Sequence, residues 1–265
     1  PAVNVNFGRY VENLIIDKEI TLTGIGRDEA RPAPILEAAD TNTPVVKVKV
    51  SNVTFDNFDV RAGEGTDERL AVRTVFAAPS KQIGLKAKGV SNTVVKNSTF
   101  TGFDVGVKAK ETDTFELTGN TFVENEIGFK SKDSMNIYAD WNTFSGTGLY
   151  SYNTYGIKAR GGMNVFATNN TFSDLETGAF FGGIENRVRA SDNTFENVYT
   201  GIRGQNLDKF RVVKNIMSGV YYGIEAEKIS EILRIRGNKL NVPGEGAGVG
   251  FTGYEGIYVY DADDA

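Results

Sequence analysis

A glycine followed by an apolar residue and an alternating strand recurs along this chain at nearly constant spacing. Gly84-Leu85-Lys86-Ala87-Lys88, Gly106-Val107-Lys108-Ala109-Lys110, Gly128-Phe129-Lys130-Ser131-Lys132 and Gly156-Ile157-Lys158-Ala159-Arg160 are copies of one motif. Gly201-Ile202-Arg203 and Gly223-Ile224-Glu225-Ala226-Glu227 continue it, and Gly178-Ala179-Phe180-Phe181 is a degenerate copy. The glycines follow one another at 22, 22, 28, 22, 23 and 22 residues. A second signature keeps step with the first: Ser98-Thr99-Phe100, Asn120-Thr121-Phe122, Asn142-Thr143-Phe144, Asn170-Thr171-Phe172, Asn193-Thr194-Phe195, Asn215-Ile216-Met217 and Asn238-Lys239-Leu240. Between the two lies another alternating strand, as in Phe115/Leu117, Ile137/Ala139, Val165/Ala167, Val188/Ala190 and Phe210/Val212. A unit of this length with period-2 strands and no helical periodicity is one turn of a coil. The expected fold is therefore all-β, a right-handed parallel β-helix with coils of about 22 residues.

Stacking places equivalent residues of successive coils ~4.8 Å apart, the spacing of strands in a sheet. Phe100, Phe122, Phe144, Phe172 and Phe195 are then expected to form one internal aromatic stack. Asn120, Asn142, Asn170, Asn193, Asn215 and Asn238 are expected to form an internal amide ladder that satisfies its own buried polar groups. The ladder is a structural device, and no chemistry is assigned to it.

Composition narrows the function classes. Glycine is abundant at 30 residues against 6 prolines, as many tight turns require. A net charge of -5 and a pI near 5.1 argue against general nucleic-acid affinity. With no cysteine and no histidine, the chain lacks disulfides, thiolates, the commonest zinc ligand and the commonest general base. Mean hydropathy is -0.28, and no stretch approaches the ~20 apolar residues of a transmembrane helix. Pro1 opens directly into polar, strand-like sequence with no signal peptide in view.

The segment Tyr10-Val11-Glu12-Asn13-Leu14-Ile15-Ile16-Asp17-Lys18-Glu19-Ile20-Thr21-Leu22-Thr23-Gly24-Ile25-Gly26 resembles the first coil of the pectin-lyase-like superfamily, and Val53-Thr54-Phe55-Asp56-Asn57-Phe58 resembles its next turn. With the repeats, the resemblance covers nearly the whole chain. It implies the β-helix fold but not one activity, since the superfamily spans lyases, hydrolases, esterases, epimerases, phage tailspikes, adhesins and non-catalytic modules. One domain over residues 1–265 is expected, with insertions near 62–82, 145–155 and 241–254. No amphipathic helix precedes Val3 to cap the coil. The chain is accordingly read as part of a larger protein, or as one whose ends meet another chain or flanking domains.

In the glycine-apolar strand the residue after glycine and the one two later point inward, so their neighbours face solvent. The outward positions read Lys86/Lys88, Lys108/Lys110, Lys130/Lys132, Lys158/Arg160, Phe180/Gly182, Arg203/Gln205 and Glu225/Glu227. Like charges ~4.8 Å apart repel by roughly 0.9 kcal/mol per pair in water, so this basic stripe does nothing for folding. Two readings follow from it. In one, the lysines are a solvated face that guards against sheet association. In the other, Lys86, Lys88, Lys108, Lys110, Lys132 and Arg203 track an acidic polysaccharide, with Phe180 offering a ring for sugar stacking.

The superfamily's polygalacturonases and mannuronan epimerases use histidine, which this chain lacks. Its β-elimination lyases need a cation to neutralise a uronate carboxylate and a Lys, Arg or Tyr as base. By residue type, Lys130, Lys158, Arg160 and Tyr152 fill those roles, with Tyr150 and Tyr155 nearby. No acidic metal cluster accompanies the stripe, so neither a metal nor another cofactor is expected. The sequence thus points to a secreted or cell-surface module that binds an acidic polysaccharide, with or without lyase activity. The alternative is a structural or adhesive solenoid.

Overall fold

The computed structural model describes residues 1–26, 32–63, 82–146, 154–241 and 255–260. Among them all regular structure is β-strand and every pairing is parallel, so the chain is the expected right-handed parallel β-helix. Ten coils stack. Each contributes a strand to three faces, as in Val105–Lys110, Asp113–Thr118 and Thr121–Val123. The third face is a sheet of 10 strands. The first and second faces merge into one sheet of 16, because strands such as Ile127–Asp140 and Tyr155–Thr168 run unbroken around the bend between them.

Corners are built from columns of residues in the left-handed region. Between the second and third faces these are Asn57, Asn97, Gly119, Trp141, Asn169, Asp192, Lys214 and Gly237. Asn, Asp and Gly tolerate this conformation at little cost, which explains their periodic return in the sequence.

The interior bears out both expected ladders. Phe100, Phe122, Phe144, Phe172 and Phe195 are buried and stacked, with successive ring centroids 5.3, 4.7, 5.0 and 4.7 Å apart. In the amide ladder each Asn Nδ2 donates to the Oδ1 of the next coil, for example Asn120 to Asn142 at 3.0 Å and Asn142 to Asn170 at 3.0 Å. That same Oδ1 also accepts the backbone N–H of the Asn below it. Ser98 ends the ladder, its N–H donating to Asn120 and its hydroxyl accepting from the N–H of Phe58.

The repeated glycine has a reason that only the packing reveals. A Cβ built on Gly156 would lie 2.5 Å from Cδ1 of Phe172 and 2.7 Å from the carbonyl of Gly178, and Gly106, Gly128 and Gly178 are hemmed in alike. Each glycine is the floor on which a stacked phenylalanine rests. Gly156→Ala is expected to cost about 1–3 kcal/mol through overpacking, read as a lower urea midpoint at unchanged slope.

At both ends of the described stack, inward positions lose their cover. Val3 pairs with buried Leu22 and Ile257 pairs with buried Ile224, yet Val3 and Ile257 are exposed.

Candidate functional site: the basic first face

Strand register places the basic residues in two straight columns. Lys86, Lys108, Lys130, Lys158, Phe180, Arg203 and Glu225 form one, and Lys88, Lys110, Lys132, Arg160, Gly182, Gln205 and Glu227 form the other. The first column also takes in Lys47, paired with Lys86. Lys47 escapes an alignment on glycine because its coil carries Val45 at that position. The alternation Val46-Lys47-Val48 was the available signal.

The columns differ electrostatically. Lys110 pairs with Glu111 at 3.0 Å, Lys88 approaches the same carboxylate at 3.9 Å, and Lys132 lies 3.9 Å from Asp133. Among the described residues no ion pair joins Lys47, Lys86, Lys108, Lys130 or Lys158 to a carboxylate. Five lysines therefore stand in file on strands ~4.8 Å apart, with no ion pair among the described residues. Partial burial, then Lys130, Lys86, Lys110 and Lys132, push the Lys108 ammonium below its ordinary pKa. Burial, Arg160 and Lys130 lower that of Lys158, against the opposing pull of Glu126 and Glu176.

The file ends in a small cluster. Lys158 Nζ sits 3.7 Å from the centroid of the Tyr155 ring, a cation–π contact. The Tyr155 hydroxyl is held protonated by burial and by Glu176. One coil on, the Arg160 guanidinium covers the Phe180 ring at 4.9 Å while Tyr155 meets it edge-on at 6.4 Å. Two coils beyond Lys158, Arg203 is drawn to Glu225 at 3.5 Å and Glu227 at 3.7 Å, which closes the uncompensated part of the stripe.

The structure thus brings Lys130, Lys158 and Arg160 together on one face as expected. Phe180 requires a correction. It occupies its outward register position, but at 6% exposure it offers no open ring face to a sugar. Arg160 and Tyr155 already take its surface, so its role here is to support Arg160. Tyr150 and Tyr152, the second of them expected as a base, lie outside the described residues, as does most of each insertion.

The fold can be set beside solved structures. The DFA-IIIase of Arthrobacter chlorophenolicus A6 superimposes with a TM-score of 0.59 at 12% identity, covering 98% of this chain and 82% of its own. The same enzyme without its lid, in complex with GF2, gives a TM-score of 0.53 at 11% identity, with 90% and 80% covered. At such identities the likeness speaks for the fold alone. No curated protein sequence matches the chain at a significant level.

A family model described as "Periplasmic copper-binding protein (NosD)" matches residues 91–263, well over half of the chain. Copper prefers thiolate, thioether and imidazole donors, and the donor set here does not fit it. The sequence holds no Cys, no His and 3 Met. Met217 is sealed in the core, while Met135 and Met163 are neighbours on the second face with only each other for sulfur. The described residues contain no cluster of His, Cys, Asp or Glu that could hold a metal ion. By its repeats, its β-helix and the profile match over residues 91–263, the chain belongs to the NosD family of right-handed β-helix proteins.

Proposed function

We propose that the first face is a track for an anionic polysaccharide and that the protein works outside the cytoplasm. The observation that carries this reading is the file Lys47, Lys86, Lys108, Lys130 and Lys158, without an ion pair among the described residues of a protein whose net charge is -5. Folding alone gives no reason to align five ammonium groups at sheet spacing, since each neighbouring pair repels. A linear polyanion laid along the helix axis would meet one cation per coil. The family's description as periplasmic supports the placement.

Lys158 is the group best suited to remove a proton acidified by a bound carboxylate. Its pKa is already lowered, and Lys130 and Arg160 stand beside it to neutralise the charge that would develop. Lyase chemistry is thus the extension of the binding reading, and unsaturated products would announce it by ultraviolet absorbance.

The test is affinity retention on alginate, pectate and a sulfated glycan across a salt series, with a neutral polymer as control. Retention of the wild type is expected to fall as salt rises. A Lys108→Gln, Lys130→Gln variant should bind roughly 2- to 30-fold more weakly, as expected for two exposed charge pairs, with stability changed by less than about 0.5 kcal/mol. Absence of salt-sensitive retention on all three polyanions would sink the proposal and leave a structural solenoid.

A further inference from the structure

The second face carries a different surface. Trp141, the single tryptophan of the chain, is 67% exposed. It holds φ at 56° in a corner column whose other members are Asn, Gly, Asp and Lys. A bulky side chain in the left-handed region is conformationally unfavourable, and at this exposure no core packing offsets it. The strand that leads into this corner, Ile127–Asp140, carries Tyr138, 41% exposed, and Met135, 43% exposed. Tyr138 stacks on Phe166 of the next coil with centroids 5.2 Å apart and planes 7° from parallel.

Register continues this column from Phe166 into Arg189, Arg211 and Arg234. Arg189 Nε donates to Ser191 at 3.0 Å, and Arg211 Nε has no hydrogen-bond partner among the described residues. None of the three arginines forms an ion pair among the described residues. Of the carboxylates on this face, Asp140 is occupied by Thr168 and Asn169, and Asp113 by Asn136. Glu116 is exposed three coils before Arg189, and Glu185 is exposed at the start of Arg189's own strand, Glu185–Ser191. At the arginine end Asp208 accepts from Asn186 and Ser230, and Glu231 pairs with Lys209 at 3.0 Å.

We propose that this face docks on an anionic lipid surface, with Trp141 and Tyr138 entering the headgroup region and Arg189, Arg211 and Arg234 lying along it. Trp and Tyr favour that region because each joins an apolar ring to a polar handle. Arginines in file supply the second, electrostatic attraction that reversible membrane binding needs. Sugar stacking fits less well, because Tyr138 and Phe166 spend ring faces on each other and turn edges outward. A protein partner fits less well too. The charge on this face comes as a file of like-signed arginines at the ~4.8 Å coil spacing, which suits the diffuse negative charge of a lipid surface and asks for no fixed complementary shape.

Because Trp141 is the only tryptophan, intrinsic emission of the whole protein reads this residue alone. Vesicles of phosphatidylcholine with phosphatidylglycerol should shift the emission to the blue, shield it from acrylamide and carry the protein down on sedimentation, and added salt should reverse all three. Pure phosphatidylcholine vesicles should do so far less. Each of Arg189→Gln and Arg211→Gln should lower partitioning about fivefold, equivalent to about 1 kcal/mol. Trp141→Asn, which suits the left-handed backbone, should lower it without loss of stability. Lys108→Gln with Lys130→Gln, on the other face, should leave it unchanged, so this proposal and the glycan track fail separately. Unshifted emission with anionic vesicles at low salt would overturn the proposal. So would arginine variants that partition like the wild type, or a blue shift produced by alginate but not by vesicles.

Discussion

Replacing Asn142 with Ala is expected to lower the unfolding free energy by about 3–5 kcal/mol, a large share of the 5–15 kcal/mol typical of a domain. Asn142 is fully buried and makes five side-chain hydrogen bonds. Its Nδ2 donates to the carbonyls of Leu117 at 2.8 Å and Asp140 at 3.1 Å and to Oδ1 of Asn170 at 3.0 Å. Its Oδ1 accepts both the backbone N–H and the Nδ2 of Asn120. Alanine would leave those partners buried with no replacement, and an orphaned buried group costs more than a hydrogen bond contributes. The effect should appear as a reduced urea midpoint and as faster amide exchange concentrated in the coils around Asn120, Asn142 and Asn170, since contacts in a solenoid are nearest-neighbour. Asn238→Ala, at the partly buried end of the ladder, should cost clearly less. Equal losses at the two positions would contradict the ladder as a buried network.

Phe144→Ala is expected to cost a similar ~3–5 kcal/mol, the range for deleting a core aromatic. The ring lies between Phe122 at 4.7 Å and Phe172 at 5.0 Å with nearly parallel planes. Truncation would open a cavity that its neighbours cannot fill, because Gly128 beneath it contributes no side chain. Phe144→Leu keeps most of the apolar volume and should lose markedly less. If the Ala and Leu variants proved equally stable, Phe144 would not be a packing element of the core.

Much of this was legible in the sequence because a parallel coil converts chain distance into spatial stacking. The glycine and Asn-Thr-Phe signatures return at coil spacing, so residues about 22 apart had to become neighbours, and the period-2 strands between them set which side chains face in. The Phe100 to Phe195 stack, the Asn120 to Asn238 ladder and the lysine columns all follow from that arithmetic. Other features depend on contacts that repetition does not encode. Lys47 joins the column through a coil whose motif lacks glycine. Glu111 and Asp133 neutralise one basic column and spare the other because of where a corner turns their side chains. Phe180 keeps its outward register yet loses its surface to Arg160 and Tyr155, since exposure depends on neighbouring side chains and not on strand phase. The second-face patch of Trp141, Tyr138, Phe166 and Arg189 joins residues of different types from different coils. Periodicity therefore determined the fold and the direction of each side chain, while only tertiary packing decided which outward groups stay free to meet a ligand.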